Sequence, residues 1–82
     1  MTVRLSDDGA IVLEGRCPVE DGEALARLLS INPSVPVDWR SCQEAHTAVL
    51  QILLAVRPVM RGPPVDEKLR SWMEPLLSGE EL

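Results

Sequence analysis

The most restrictive feature of this sequence is its most apolar segment, residues 45–57, which is followed directly by Pro58. Its apolar side chains cover more than half of a helical circumference, so we predict a helix that is largely buried. Proline disfavours helical backbone in the residue before it and ends the helix there. With 82 residues the chain has room for one domain, so we expect 1–82 to form a single domain around a thin core. The segment's apolar residues are Val49, Leu50, Ile52, Leu53, Leu54 and Val56.

The residues before this helix alternate between strand and helix patterns. Residues 2–6 and 10–14 read as two short strands, and Asp7-Asp8-Gly9 between them is a turn signal. Residues 19–31 carry an apolar stripe at helical spacing and an acidic first turn, which predicts the first helix. A third strand is predicted at 35–39, followed by a polar loop at 40–44.

The residues after Pro58 predict one more strand and one more helix. Val59 and Met60 are a minimal fourth strand, and Asp66 is placed to cap a third helix at 67–77. The third helix has apolar residues at i, i+3, i+4 and i+7, which predicts that they share one face of it. These residues are Leu69, Trp72, Met73 and Leu76. We expect Trp72 to pack in the core, with an apolar patch for a partner or a second copy as the alternative.

The order β-β-α-β-α-β-α predicts an α/β fold: a small mixed, partly parallel four-stranded sheet with about three helices. In such sheets the loops that follow the strands meet at one end, which is the usual binding edge. Here we expect that edge to carry Cys17, Cys42, His46 and Thr47.

Composition argues against two classes of partner. The net charge of −5 and the absence of Phe and Tyr disfavour nucleic-acid binding. No apolar stretch is long enough to span a bilayer, and residues 1–9 do not resemble a signal peptide. We therefore expect a cytoplasmic protein without direct membrane insertion, in which Cys17 and Cys42 are reduced.

Residues 37–54 read V-D-W-R-S-C-Q-E-A-H-T-A-V-L-Q-I-L-L. This run resembles the STAS domain of anti-sigma factor antagonists, in which a strand ending V-D-L-S-G leads to D-S-S-G-L or D-T-A-G-L at the start of a hydrophobic helix. His46-Thr47-Ala48-Val49-Leu50 falls on the D-T-A-G-L element. The resemblance implies a small sheet with helices packed on it, and the predicted element order agrees with that of the family.

The resemblance also implies a role in protein docking. STAS domains bind partners such as kinase-like anti-sigma factors, and many carry a phosphorylated serine or threonine where Thr47 stands. Others act as scaffolds, among them subunits of phospholipid-transport complexes. This chain departs from the family at His46, where an acidic residue is usual, at Ala48 in place of a second serine, and at Val49 in place of glycine. Docking therefore remains the expectation, and the phosphorylation switch becomes optional.

These observations predict a non-enzymatic module that regulates or scaffolds a bacterial signalling partner, such as a kinase-like regulator or a complex subunit. Sigma-factor control, chemotaxis and lipid transport stay open as pathways, and a homodimer is possible. Thr47 is the possible phosphoacceptor, although its hydroxyl is also expected to cap the second helix. The predicted partner-binding residues are Trp39, Arg40, Glu44, His46 and Thr47. For Trp39 the alternative is a partly buried position at the end of the third strand.

The alternative function is a small-ligand, lipid-transport-complex or metal-binding accessory module that uses the same edge. Cys17, Cys42 and His46 could supply three zinc ligands, but the sequence offers no evident fourth. A Cys-His nucleophilic pair would need an orienting group and an oxyanion hole, and no glycine-rich loop is present. We therefore expect no catalytic residue, no metal and no cofactor.

Overall fold

The structure is a computed structural model that describes residues 2–77. The described strands are β1 (Val3–Leu5), β2 (Ile11–Cys17), β3 (Val37–Ala45) and β4 (Met60–Arg61). The helical segments are α1 (Glu20–Ile31), α2 (Thr47–Val56), a π-helical segment (Leu69–Met73) and α3 (Glu74–Leu77).

The four strands form one sheet in the order β1-β2-β3-β4. Strands β1 and β2 pair antiparallel as a hairpin, whereas β2–β3 and β3–β4 pair parallel. Parallel neighbours need a crossover connection, and α1 and α2 supply the two that this sheet requires. The predicted fold class, a mixed α/β sheet in the order β-β-α-β-α-β-α, is confirmed.

Helices α1 and α2 lie side by side and cover one face of the sheet. They approach closely where Gly22 meets Ala48: a Cβ at Gly22 would lie 3.1 Å from the Ala48 Cβ. The interior face of the sheet and the inner stripes of both helices form one hydrophobic core, and the opposite face carries mainly polar and charged side chains. The core residues include Ile11, Leu13, Leu25, Leu29, Val37, Trp39, Val49 and Leu53.

Strand β3 is longer than the sequence predicts because it is bulged. Its nine residues pair with the seven of β2, and the register shifts twice along the pair. Each bulge places one more residue on β3 than on its neighbour, so Trp39, Cys42 and Ala45 face the core at three-residue intervals. The predicted polar loop at 40–44 is wrong. Its residues belong to the strand, and the bulges remove the two-residue alternation by which a strand is recognised.

The last helical region also differs from its predicted face. Leu69, Met73 and Leu77 are buried at intervals of four, whereas Trp72 is 69% exposed. A π-helix has a wider turn than an α-helix, with hydrogen bonds from i to i+5. Residues four apart therefore stay on one side of it, and Trp72 turns outward. The predicted cap is confirmed, because the Leu69 N–H donates to Asp66 Oδ2 at 3.1 Å.

The connection after β4 is packed directly against the buried indole of Trp39. A Cβ added at Gly62 would overlap Trp39 Nε1, so one of the two residues would have to move. Within residues 2–77 this buried Nε1 has no hydrogen-bond partner. Gly62 is therefore required by the close approach of the backbone to the ring.

We predict that Gly62→Ala lowers the free energy of unfolding by about 1–3 kcal/mol, the usual cost of overpacking. Urea denaturation measures this loss. In a Trp39→Leu background the smaller side chain relieves the contact, so the same substitution should cost less there. An equal loss in both backgrounds would show that the Trp39 ring is not the cause.

Candidate functional site

The carboxyl ends of β2 and β3 meet the first turn of α2 and the π-helical segment around a groove of about 520 Å³, which we call the α2 groove. It is lined by apolar and polar side chains, among them Arg16, Glu44, Thr47, Leu50, Leu69 and Trp72. A smaller cavity of about 280 Å³ adjoins it and shares Arg16, Glu44 and Ala45, with Cys17, Pro18 and His46 as its further lining residues.

The α2 groove combines an apolar floor with a polar rim. Leu50 and Leu69 are core residues that reach its floor, and the exposed Trp72 stands beside them. At the mouth, Arg16 Nε of β2 lies 3.6 Å from Glu44 Oε1 of β3, so an exposed ion pair crosses the two strand ends. Exposed ion pairs contribute little to stability, so these two side chains can reorient toward a bound partner at low cost.

His46 starts the helix that borders this groove. Its backbone is extended (φ −62°, ψ 152°), and its Nδ1 accepts a hydrogen bond of 3.0 Å from the Ala48 N–H. This satisfies one of the backbone donors that every helix leaves unpaired in its first turn. The predicted cap by Thr47 is wrong, because Thr47 is already the first residue of the helix and His46 holds the capping position.

Thr47 is exposed at the start of α2. Among residues 2–77 its hydroxyl makes no hydrogen bond, so the hydroxyl has no structural task in the described part of the fold. It lines the α2 groove together with Glu44. The structure therefore brings together Glu44, His46 and Thr47, three of the five residues predicted to contact a partner, at one end of the sheet.

Trp39 is not at this surface. Its side chain is 0% exposed and lies in the core beneath the sheet, so the prediction that it contacts a partner is wrong. The prediction assumed that the strand ended at Trp39. Because β3 continues to Ala45, Trp39 is an inward-facing residue in the middle of the strand.

Arg40 is also separate from the α2 groove. It lies on the open face of the sheet, in a depression that it shares with Arg4 and Glu14. Its guanidinium donates twice to Asp38, through Nε at 3.0 Å and Nη2 at 2.7 Å. The hydrogen bonds from Arg40 hold the pKa of the Asp38 carboxyl below its usual value and raise the pKa of Arg40. Arg40 is thus engaged within its own strand, away from the other predicted contact residues.

Cys17 and Cys42 are free thiols buried behind the smaller cavity rather than on loops. Cys17 is the last residue of β2, and Cys42 lies within β3. Across residues 2–77 no group of three or more His, Cys, Asp and Glu side chains is placed to hold a metal ion. Cys17, Cys42 and His46 therefore do not assemble into a three-ligand site in this structure.

Among the residues of the α2 groove, sequence reasoning missed Arg16, and it gave the exposed position of Trp72 only as the alternative to packing in the core. Arg16 stands next to the end of a parallel strand, and the rule that such ends meet could have selected it. For Trp72 the signal was the regular four-residue spacing of Leu69, Met73 and Leu77, which are the buried residues of this region. The prediction had instead assumed the usual i, i+3, i+4, i+7 pattern, which includes Trp72. A face built on the four-residue spacing leaves Trp72 outside.

We predict that His46→Ala lowers the free energy of unfolding by about 1 kcal/mol, because the first turn of α2 loses its side-chain acceptor. His46→Asn supplies an equivalent oxygen and should retain most of the stability. Urea denaturation of the three proteins at neutral pH makes the comparison. Equal losses in the alanine and asparagine variants would show that the hydrogen bond to Ala48 does not stabilise the helix.

The Asp38–Arg40 pair predicts a pH dependence of stability. The pKa of Asp38 is lowered in the folded protein, so its ionised form stabilises the fold above the unfolded pKa of about 3.9. That contribution is lost as the pH falls through the lower, folded pKa. Asp38→Asn should therefore be less stable than the parent protein at pH 7, and the difference should shrink in acid. In an Arg40→Gln background the Asp38→Asn difference should be smaller at pH 7; an unchanged difference would exclude Arg40 as its source.

Comparisons of this chain with protein-family models, with curated proteins and with solved structures find no match. Residues 2–77 contain no helix long and apolar enough to cross a membrane.

Proposed function

We propose that this chain is a non-enzymatic protein-interaction module of the STAS type, which regulates or scaffolds a bacterial signalling partner by docking it at the α2 groove. The observation that carries the proposal is Trp72, a large aromatic side chain that is 69% exposed beside the apolar floor of that groove. An exposed tryptophan next to buried leucines is an arrangement that a partner can cover with a large gain in buried apolar surface.

The anatomy of the groove resembles that of a protein interface. Interfaces typically have an apolar centre with aromatic anchors and a polar rim. Here Trp72, Leu50 and Leu69 form the apolar centre, and Glu44 and Lys68 belong to the rim. Both charge signs occur on the rim, so a partner with complementary charged groups can fix its orientation there.

The STAS resemblance supports the same place. The residues that resemble D-T-A-G-L, 46–50, form the cap and first turn of α2, and Thr47 and Leu50 among them line the groove. In STAS domains this element takes part in partner binding, and in many of them it carries the phosphorylated serine or threonine. Val37 and Asp38, which resemble the end of the family's strand, stand instead at the beginning of β3 here, and Ala45 is the strand residue that leads into the helix.

Thr47 fits the role of a phosphoacceptor in this proposal. Because His46 caps the helix, the Thr47 hydroxyl is not needed for that purpose and is exposed. A phosphate there would lie at the positive end of α2, which stabilises negative charge. It would also place up to two negative charges beside Glu44 on the groove surface, so that a docked partner would be repelled or reoriented.

The proposal includes an expected class of partner. A kinase-like regulator or a subunit of a larger complex in the cytoplasm is the expected class, with sigma-factor control, chemotaxis and lipid transport as the pathways. The net charge of −5 favours association with a partner whose contact surface is basic.

The test is co-purification of the wild-type chain and its variants with proteins from the source organism, followed by measurement of Kd with the recovered partner. Trp72→Ala should weaken binding by about 30-fold, equivalent to about 2 kcal/mol for a hot-spot aromatic residue. Ile31→Ser is the matched control, because Ile31 is 70% exposed at the far end of α1 and does not line the α2 groove.

Two substitutions of Thr47 separate charge from shape at the same position. Thr47→Asp should weaken binding because it introduces a carboxylate beside Glu44, whereas Thr47→Val keeps the shape and should bind normally. If Trp72→Ala and Thr47→Asp both bind as tightly as wild type, the docking surface lies elsewhere and the proposal fails.

A further inference from the structure

The outer edge of β1 is a strand edge that no other strand covers within residues 2–77. The Thr2 carbonyl accepts a hydrogen bond of 2.8 Å from the Glu14 N–H of β2. Backbone groups alternate in direction along an antiparallel pair, so the N–H and C=O groups of Val3 and Leu5 point away from β2. Unpaired donors and acceptors on such an edge are a template for another strand.

The opposite edge of the sheet is less suited to the same kind of pairing. Strand β4 there has only two residues and is followed by Gly62-Pro63-Pro64. Proline has no N–H to donate to a neighbouring strand. Strand β1 contains no proline, and its register with β2 has no bulge. Of the two edges, β1 is therefore the one that a further strand can extend.

An apolar groove of about 340 Å³ lies beside this edge, between β1 and α1, and we call it the edge groove. Leu5 is 49% exposed, whereas Val3 on the same strand is buried. The same patch thus carries a projecting apolar side chain and a groove that such a side chain can fill. A surface of this kind complements itself in a two-fold interface, because each copy supplies both parts. The groove is lined by Val3, Arg4, Leu5, Ala24, Arg27 and Leu28.

We propose that β1 pairs antiparallel with β1 of a second copy of this chain, centred on Leu5. The Leu5 N–H of each copy donates to the Leu5 carbonyl of the other, and the two four-stranded sheets become one sheet of eight strands. Each Leu5 side chain covers the edge groove of the other copy. The occupant of the edge is thus a second copy, and the α2 groove at the far side of the fold stays free.

The side chains of β1 select the centre of the pairing. A centre on Arg4 would set two guanidinium groups directly opposite each other, which is destabilising. A centre on Val3 would join side chains that are already buried and would leave the exposed Leu5 beside the strand pair. Only a centre on Leu5 covers the exposed leucines without bringing like charges together.

Charge complementarity supports the same centre. It places Arg4 of one copy opposite Ser6 of the other, beside the acidic turn formed by Asp7 and Asp8. Arg4 bonds Glu14 only through Nε, and within residues 2–77 its other guanidinium nitrogens make no hydrogen bond. In the same part of the chain Asp7 has no ion pair. Arg4 and the acidic turn therefore attract each other across the pair, twice by symmetry.

The oligomeric state in solution tests the proposal. The contact is small, so we expect reversible association with a Kd in the micromolar range. Light scattering after gel filtration, from micromolar to millimolar protein, should show the mass of wild type rising to that of two chains. Leu5→Lys should raise this Kd at least tenfold, because a charge replaces the apolar contact at the edge. Val56→Lys is the matched control, since Val56 is 46% exposed on α2, away from β1.

A cross-link tests the centre of the pairing and does not depend on Leu5→Lys folding. Residues directly opposite in a hydrogen-bonded pair have Cα atoms about 5.5 Å apart, within reach of a disulfide. Leu5→Cys should therefore form a covalent dimer with oxidised glutathione, which dithiothreitol reverses. Wild type, whose Cys17 and Cys42 are buried, should not, and Arg4→Cys should link more slowly.

Three results would overturn the proposal. They are a wild-type chain that stays monomeric up to millimolar concentration, a dimer that Leu5→Lys leaves unchanged, and linking of Arg4→Cys at least as fast as that of Leu5→Cys. Circular dichroism checks that each variant is folded. No partner protein is present in these measurements, so their outcome is separate from that of the docking proposed at the α2 groove.

Discussion

The pairing of β3 with β2 is the interaction on which the rest of this structure depends. Nine residues of one strand are hydrogen bonded to seven of its neighbour, and two bulges absorb the difference. The bulges rotate successive side chains so that Trp39, Cys42 and Ala45 all face the core. They also carry the strand to Ala45, so that His46 is the residue at which the chain turns into α2.

The surfaces on the two sides of this pairing differ in character. On the open face the charged side chains pair with one another: Arg40 pairs with Asp38 within β3, and Arg4 of β1 pairs with Glu14 of β2. At the carboxyl ends of the strands the α2 groove instead leaves the aromatic side chain of Trp72 exposed beside nearly buried leucines. This contrast is why the α2 groove, and not the larger depression on the open face, is the surface that a partner would gain most by covering.

The residue that caps α2 is attached to the ends of both β2 and β3. Ala45, the last residue of β3, directly precedes His46. Cys17 ends β2, and its carbonyl accepts a 2.9 Å hydrogen bond from the His46 N–H. The residue that starts α2 is therefore tied through its backbone to Cys17 and through its side chain to Ala48.

The order of the elements, the buried inner face of α2 and the Asp66 cap were determined by the sequence alone, because each rests on local periodicity or on a contact within one turn of chain. Only the tertiary structure decided where β3 ends and that His46 caps α2. It also decided that Trp39 is buried in the core and Trp72 is exposed. A bulge exists only relative to the neighbouring strand, and whether an aromatic ring is buried depends on what packs over it. Gly62 illustrates this limit, because its requirement comes from an indole 23 residues away in the chain, a distance that no sequence periodicity reports.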